Sequence, residues 1–290
     1  MSSDDSRGEG MTGELFSYGN GLQAFESGPK GSKKKMIMIG GLSDGLLACP
    51  YVPELGFCLA EEGYSLVQPI LRSSYCQFGF RTLDDDVADL LDLITKLKTR
   101  GLNRLALCGH STGSQICAHF VRNYINNDQL LSLVILQAAV SDRETDDNAL
   151  IQQRAIWLDG DTSSEEMLPR EAFWSPITRR RFFDLHAKGG TDDYFSSDLS
   201  DHELRERFSK FHNVPCILAY SGADEYAPPS LDKLTLIQRI CKAMDKEDHP
   251  DNVPHIPLLL ENADHALYKP LSARKRFLDE IIRLIRTFDS

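Results

Sequence analysis

Six apolar runs of strand length recur along the chain, and most of them lead into a segment of helix length. The runs are MIMIGG (36–41), YSLVQPIL (64–71), RLALCG (104–109), LSLVILQAA (131–139), VPCILAY (214–220) and IPLLLE (256–261). Each run is almost continuously apolar, which is typical of parallel strands that are covered by helices on both faces of a sheet. Strands that alternate with helices in this way predict an α/β fold with a doubly wound, mostly parallel sheet.

The domain organisation follows from the places where this alternation stops. Residues 1–12 are mostly polar and are expected to form a disordered tail, and residues 13–290 are expected to form one large domain. The segment 15–28 predicts an antiparallel hairpin at one sheet edge. Residues 141–212 hold no convincing buried strand but contain both tryptophans. We interpret them as a largely helical lid over the carboxyl edge of the sheet, where open α/β sheets bind ligands; the alternative is a surface excursion packed by its own aromatics.

The balance of charge narrows the possible partners. The chain has 32 Lys and Arg residues against 43 Asp and Glu residues, a formal net charge of −11. Nucleic acids and anionic membranes would repel such a protein, so we expect neither as a partner. Its apolar stretches are shorter than the roughly 18 to 20 residues that cross a bilayer. The first fifteen residues lack the basic and apolar regions of a signal peptide.

The cysteines indicate a reducing compartment, and the motifs indicate no cofactor. Cys108, Cys117 and Cys216 lie in apolar segments and are typical of small core residues, so we expect a cytoplasmic protein. The sequences CGH and CAH could suggest zinc. However, the first straddles a strand end and the second lies along a helix, so four ligands would not converge. The chain has neither a dinucleotide fingerprint nor a P-loop, and we expect no metal and no cofactor.

A serine stands between two glycines where the third apolar run meets a helical segment. The sequence Gly-His-Ser-Thr-Gly at 109–113 has the form Gly-x-Ser-x-Gly. Between a strand and a helix this pentapeptide is typical of a nucleophile elbow, in which the glycines permit a sharp turn and the serine sits at its apex. The start of the helix would direct unpaired N–H groups towards a developing anion. We therefore predict that Ser111 is a nucleophile.

A serine nucleophile needs a neutral imidazole as its base and a carboxylate that orients the imidazole. His265 follows the last apolar run, where this architecture places the base. Asp224 comes just after an apolar run and is the preferred acid. Glu225 beside it and Asp142, one strand earlier, remain alternatives, because all three satisfy the chain order of serine, acid and histidine.

The other histidines are assigned no catalytic role. His110 adjoins the serine but is expected to point away from it on the turn, and His119 is expected to pack partly on the following helix. His249 and His255 precede the last strand and would lie at the wrong edge of the sheet. The remaining ones, within or next to the insertion, are His186, His202 and His212.

Ester hydrolysis would also need two backbone N–H groups that form an oxyanion hole. One should belong to Thr112, directly after the nucleophile, and the other to the GGLSDG loop after the first parallel strand. We assign the second donor to Leu42, because Gly40 and Gly41 would let the loop pass close to the ester.

Two segments are expected to select the substrate at the carboxyl edge, namely the insertion and the loop 72–80. Their mixture of aromatic and polar side chains favours a medium-sized polar ester over a long-chain lipid. The residues assigned to substrate binding are Ser43, Arg72, Tyr75, Trp157, Trp174 and Tyr226.

Several blocks along the chain resemble one family of proteins. The blocks are GGLSDGLLACPYVPEL, LRSSYCQFGF, GHSTGSQ, LQAAVSDRE, YFSSDLSD, SGADEYAPPS and NADHALYKP. They resemble the α/β-hydrolase family, DUF1749-like, that includes fungal siderophore esterases together with plant and protist relatives. The resemblance implies an α/β-hydrolase fold with Ser111 as nucleophile, Asp224 as acid and His265 as base. It also implies cytosolic hydrolysis of esters, which in the fungal members are those of hydroxamate siderophores.

The sequence therefore predicts a serine esterase that acts on a small-molecule ester through an acyl-enzyme on Ser111, with a siderophore-type ester as the leading candidate. The alternative hypothesis is a non-catalytic receptor or scaffold with a hydrolase fold, because a fold alone does not establish an activity. The sequence gives no oligomeric state.

Overall fold

Within the residues that the structure describes, one sheet of eight strands forms the centre of the protein. The computed structural model describes residues 10–125, 130–246 and 253–288. The strands are β1 (Gly13–Tyr18), β2 (Leu22–Ser27), β3 (Lys34–Ile39), β4 (Tyr64–Pro69), β5 (Arg104–His110), β6 (Leu131–Gln137), β7 (Cys216–Ser221) and β8 (His255–Leu260). They lie in the order β1-β2-β4-β3-β5-β6-β7-β8, in which β1 and β2 form an antiparallel edge and the other six are parallel to one another. The six predicted strands and the edge hairpin are confirmed.

Helices cover both faces of this sheet. In the described residues they are α1 (Val52–Glu61), α2 (Leu83–Thr99), α3 (Thr112–Tyr124), α4 (Asn148–Leu158), α5 (Arg179–His186), α6 (Asp201–Phe208), α7 (Lys233–Met244) and α8 (Leu271–Phe288), with 3₁₀ turns at Tyr75–Phe80 and Ser209–Asn213. Helices α2, α3, α6 and α7 share one apolar cluster with the sheet, and α1 and α8 share a second one on the opposite face. Because both faces are covered, the parallel strands can be apolar throughout.

Helix α2 shows how local sequence signals set these elements. The hydroxyl of Thr82 accepts the N–H of Asp85, and the carboxylate of Asp85 accepts the N–H of Thr82. Such a reciprocal cap satisfies two N–H groups that the first turn leaves unpaired, and its loss typically costs about 1 kcal/mol. The helix then buries a stripe of leucines against the sheet and ends after Thr99.

The segment between β6 and β7 corresponds to the predicted insertion at 141–212. Helices α4 and α5 belong to its first part, in which Phe182 and Leu185 form a small apolar cluster of their own. The stretch 159–178 carries no helix, so this part is less helical than the sequence analysis expected. Helix α6 packs instead on the main core through Leu204 and Phe208.

Other expectations have mixed outcomes. Cys108, Cys117 and Cys216 are buried free thiols, as predicted. None of the helices within the described ranges combines the length and the apolar character needed to cross a bilayer. Residues 1–9 of the predicted tail, and His249, lie outside the described residues, and β1 begins at Gly13.

Candidate active site

Ser111 occupies the sharp turn between β5 and α3. Its backbone has φ 53° and ψ −124°, a conformation that residues other than glycine rarely adopt. The two glycines of the motif are required by close backbone approach. A Cβ at Gly109 would lie 2.2 Å from the carbonyl oxygen of Gly113, and one at Gly113 would lie 2.3 Å from that of Ile39. The turn therefore holds the serine at its apex in a strained conformation, typically at a cost of about 1–3 kcal/mol.

His265 is oriented by a buried carboxylate. Its Nδ1 lies 2.9 Å from Oδ1 and 2.8 Å from Oδ2 of Asp224, whose side chain has no exposed surface. A carboxylate only accepts hydrogen bonds, so Nδ1 carries the proton and Nε2 is the basic nitrogen of the neutral ring. Asp264, next to the histidine in sequence, instead accepts the backbone N–H of Tyr268 at 2.7 Å.

Two further side chains hold the backbone of His265. Glu225 accepts its N–H at 2.9 Å through Oε2, and Gln137 donates from Nε2 to its carbonyl oxygen at 2.9 Å. Oε1 of Gln137 also accepts from Nδ1 of His110 at 2.6 Å and from the hydroxyl of Tyr51 at 3.1 Å. The sequence analysis did not identify Gln137. The signal that could have identified it is its polar side chain at the end of the apolar strand β6.

Asp142, the acid proposed one strand earlier, has a different environment. Its Oδ2 accepts a hydrogen bond from Nε2 of Gln115 at 2.5 Å. Burial raises the pKa of Asp142 to about 6, and the charge of Asp192 adds to this effect. Among the three predicted acids, Asp224 is the one that contacts the imidazole of His265.

His110 does not point away from the site, so that expectation is wrong. Its ring packs edge-on against the ring of His265, with 4.9 Å between centroids. The hydrogen bond from Nδ1 of His110 to Oε1 of Gln137 holds the ring in this orientation. Burial and the neighbouring His265 lower the pKa of His110 to about 3. His119, by contrast, is packed on its helix as expected, with Nε2 2.8 Å from Asp84.

The loop after β3 passes directly beside the nucleophile. A Cβ at Gly41 would lie 3.0 Å from the Cβ of Ser111. The carboxylate of Asp44 accepts the N–H of Gly41 at 2.7 Å and so folds the loop back on itself. Leu42 and Thr112, the two predicted oxyanion donors, line the same cavity as Ser111.

This cavity has a volume of about 960 Å³ and lies between the strand ends and the insertion. The size suits a small-molecule ligand. Of the residues assigned to substrate binding, Ser43, Trp174 and Tyr226 line it. The ring of Tyr226 lies 4.6 Å from that of His265.

The other three assigned residues do not line the cavity. The side chain of Arg72 is bound to α2 instead, because its Nε donates to the buried carboxylate of Asp89 on that helix at 2.7 Å. Tyr75 is half exposed and packs its ring against Gly45, outside the cavity. Trp157 packs in the apolar cluster of the insertion itself. Sequence position could place these residues near the carboxyl edge but could not reveal the partners that turn their side chains away.

The cavity has lining residues that the sequence analysis did not single out for binding. Three of them belong to the insertion, namely Arg154 on α4, Phe173 in the stretch before α5, and His186 at the end of α5. Tyr268 lines the cavity from the loop after β8. Within the described ranges, no group of three or more His, Cys, Asp and Glu side chains could hold a metal ion.

Comparison with known proteins supplies the family. The model of the family described as "Protein of unknown function (DUF1749)" matches residues 1–288. The chain belongs to the DUF1749 family. It is 30% identical to the UPF0613 protein PB24D3.06c of Schizosaccharomyces pombe, over 95% of this chain and 97% of the relative. It is 28% identical to Fusarinine C esterase sidJ of Aspergillus fumigatus, over 92% of this chain and 93% of the relative.

Solved structures agree with the fold of this DUF1749 protein. Siderophore hydrolase EstB from Aspergillus fumigatus matches with a TM-score of 0.78 and 26% identity, covering 96% of this chain and 98% of that one. A protein described as having the alpha/beta hydrolase fold matches with a TM-score of 0.66 and 19% identity, covering 98% of both chains. The predicted α/β-hydrolase fold is therefore confirmed.

Proposed function

We propose that this DUF1749 protein is a serine esterase that hydrolyses carboxylic esters through an acyl-enzyme on Ser111. The observation that carries the proposal is the contact between Asp224 and Nδ1 of His265, in a cavity that also holds the strained Ser111. Similarity to Fusarinine C esterase and to a siderophore hydrolase over more than nine-tenths of the chain supports an ester as the bond that is broken.

In the acylation step, Oγ of Ser111 attacks the carbonyl carbon of the ester while its proton passes to Nε2 of His265. Asp224 accepts the Nδ1–H throughout and stabilises the imidazolium that forms. The carbonyl π electrons move onto the oxygen, which accepts hydrogen bonds from the N–H groups of Leu42 and Thr112. Each such donor typically contributes about 2.7–4 kcal/mol of transition-state stabilisation. As the bond to the alcohol oxygen breaks, His265 returns the proton to that oxygen.

In the deacylation step, a water molecule attacks the acyl carbon and gives a proton to His265. The bond to Oγ of Ser111 then breaks, the proton returns to Oγ, and the acid leaves. His110 takes no proton in this scheme, because burial and His265 keep its pKa near 3 and its ring neutral. Its ring and Gln137 instead position the loop that carries the base.

The substrate we propose is a bulky polar ester of small-molecule size, with a siderophore-type ester as the leading candidate. The cavity wall supports this proposal, since it combines the aromatic rings of Trp174, Phe173 and Tyr226 with charged and hydroxyl groups. The free cysteines support a reducing, cytoplasmic location.

The test is a panel of esters incubated with the wild type and with Ser111→Ala, with products followed by mass. The panel contains ferric and iron-free ester siderophores, short-chain nitrophenyl esters and a long-chain triglyceride emulsion. We expect turnover of the short esters and of a siderophore by the wild type, and none by Ser111→Ala. Ser17→Ala, at an exposed position of the edge strand, should behave as the wild type.

Two outcomes of the panel would change the proposal. A preference for the emulsion would contradict a polar ester as substrate. Turnover of the short esters without siderophore cleavage would be consistent with the mechanism but would contradict the siderophore as substrate.

A further inference from the structure

His186 lines the cavity but takes no part in the proposed chemistry. It lies at the end of α5 and is 7% exposed. Its Nδ1 lies 3.0 Å from the carbonyl oxygen of Phe182, and since a carbonyl only accepts hydrogen bonds, the proton is on Nδ1. Nε2 therefore presents a lone pair, and it has no hydrogen-bond partner in the part of the chain that the structure describes. A group that binds in the cavity can therefore donate a hydrogen bond to this nitrogen.

The orientation and the charge state of this ring are both fixed. The ring of Phe182 lies 4.4 Å from it and that of Phe173 lies 5.4 Å from it, centroid to centroid. Burial lowers the pKa of His186 to about 3, and the guanidinium of Arg154 contributes to the lowering. At neutral pH the ring is therefore an uncharged acceptor held in one direction.

Arg154 supplies the complementary donor on the same wall. It lies on α4, and its Nη1 donates to the carbonyl oxygen of Arg143 at 3.2 Å. No carboxylate of the described residues forms an ion pair with it within 4.0 Å. The remaining N–H groups of the guanidinium are donors that a ligand could use.

Three carboxylates of the wall, by contrast, already have partners. Asp142 accepts from Gln115, Glu225 accepts the backbone N–H of His265, and Glu144 accepts from Ser197. Arg170 and Glu171 also line the cavity, but both are exposed. The less exposed part of the wall therefore offers a neutral acceptor in His186 and a cationic donor in Arg154.

We propose that Arg154 and His186 form a substrate subsite for a neutral group that carries both an acceptor oxygen and a donor hydrogen, such as a secondary amide. Arg154 donates to the carbonyl oxygen, and Nε2 of His186 accepts the N–H. A carboxylate fits worse because it has no hydrogen for Nε2, and an ammonium group fits worse because Arg154 repels it. This inference rests on the proposed function, since the amide belongs to the ester that is hydrolysed.

The test uses matched pairs of nitrophenyl esters. One member of each pair is the ester of an N-acetylated amino acid, with a short, medium or long methylene spacer between the amide and the ester. The other member is the methyl ketone in which CH₂ replaces the N–H. We expect the wild type to prefer the amide, at one spacer length, by roughly three- to tenfold in kcat/KM, the usual effect of one neutral hydrogen bond. The intrinsic chemical reactivities of the two esters cancel when the amide-to-ketone ratio of kcat/KM is compared between the wild type and a variant.

Three variants make the outcome specific. His186→Phe keeps an aromatic ring but removes the acceptor, so it should abolish the amide preference by lowering kcat/KM for the amide ester more than for the ketone ester. His186→Gln keeps an acceptor and should restore part of the preference. His202→Phe, at an exposed histidine on α6, is the matched control and should retain the wild-type ratio.

Arg154→Met gives an independent reading of the donor. Amide and ketone esters both carry the carbonyl oxygen, so this variant should lower kcat/KM for both relative to a plain alkanoate ester of equal length. An equal amide-to-ketone ratio in the wild type, His186→Phe and His186→Gln would overturn the subsite.

Binding separates this inference from the proposed function. The same esters can be titrated by calorimetry into the Ser111→Ala variant, where no turnover is needed. We expect tighter binding of the amide than of the ketone, and no difference once His186→Phe is added. A wild type that hydrolyses none of the esters would contradict the esterase proposal, while the binding preference would still decide the subsite. Equal affinities for amide and ketone would overturn it.

Discussion

Both carboxylate oxygens of Asp224 lie within 2.9 Å of Nδ1 of His265. The neighbouring Glu225 holds the backbone N–H of the same histidine, and Asp142 accepts from Gln115 instead. The three acids that the sequence left open thus have three different environments, and their substitution should separate them.

Asp224→Asn should lower kcat by roughly 10⁴-fold, because an amide at this position would favour the wrong tautomer of the imidazole. Glu225→Gln keeps an oxygen that can accept the N–H of His265, and Asp142→Asn keeps one for Gln115. Both should retain most of the wild-type kcat on a nitrophenyl ester. A larger loss at Asp142 than at Asp224 would move the acid to the end of β6.

The strain at Ser111 should be visible in stability. Glycine adopts φ 53° and ψ −124° without penalty, whereas alanine does not. The free energy of unfolding of Ser111→Gly should therefore be about 1 kcal/mol larger than that of Ser111→Ala. The measurement is urea unfolding of the two variants. Ser17 in β1 is the matched control, since at a strand position glycine should be less stable than alanine. Equal stability of the two Ser111 variants would contradict the strained turn.

The close passage of the loop after β3 predicts a catalytic effect at Gly41. The added Cβ in Gly41→Ala would lie 3.0 Å from the Cβ of Ser111 and would displace the N–H of Leu42, so kcat should fall on the order of 10²-fold. Gly63→Ala is the control, because its Cβ meets nothing within 4 Å while its φ of 78° disfavours alanine. It should cost about 1 kcal/mol of stability and leave kcat unchanged. An unchanged kcat in Gly41→Ala would remove this loop from the oxyanion hole.

The raised pKa of Asp142 predicts a pH-dependent stability. Because burial raises it from 3.8 to about 6, the folded chain favours the neutral acid. The stabilising contribution is complete below about pH 4 and is lost as the pH rises through 6, at a cost of about 3 kcal/mol. Asp142→Asn cannot ionise, so its free energy of unfolding relative to the wild type should rise by up to that amount between about pH 4 and pH 7. His110, whose pKa is lowered, acts in the opposite direction but cancels in this difference. A difference that stays constant with pH would contradict the assignment.

The sequence could predict the sheet and the order of the candidate catalytic residues, because both depend on signals along the chain. Apolar runs marked the parallel strands, and the glycines around Ser111 marked a turn that requires close backbone contact. Position after a strand was enough to choose His265 and to prefer Asp224, since the carboxyl ends of parallel strands meet at one edge, but it left Glu225 and Asp142 as alternatives.

The cavity wall could not be predicted in the same way, because it depends on pairings between distant segments. Asp89 holds Arg72 on α2, and Gln137 turns His110 towards the site. Nε2 of His186 is an acceptor because Nδ1 donates to the carbonyl oxygen of Phe182 on the same helix. The path of the insertion that carries this helix follows no simple sequence pattern. These partners are separated in sequence or hidden in irregular structure, and the residue types alone do not reveal them.

The most direct test of the central claim is labelling with a fluorophosphonate probe, followed by mass analysis of the intact protein and of its peptides. Such a probe forms a covalent bond with a serine hydroxyl that a neighbouring base activates. We expect one adduct per chain, located on Ser111, that appears with loss of esterase activity and is absent from Ser111→Ala. An active enzyme that carries no adduct on Ser111, or a Ser111→Ala variant that retains the wild-type rate, would contradict it.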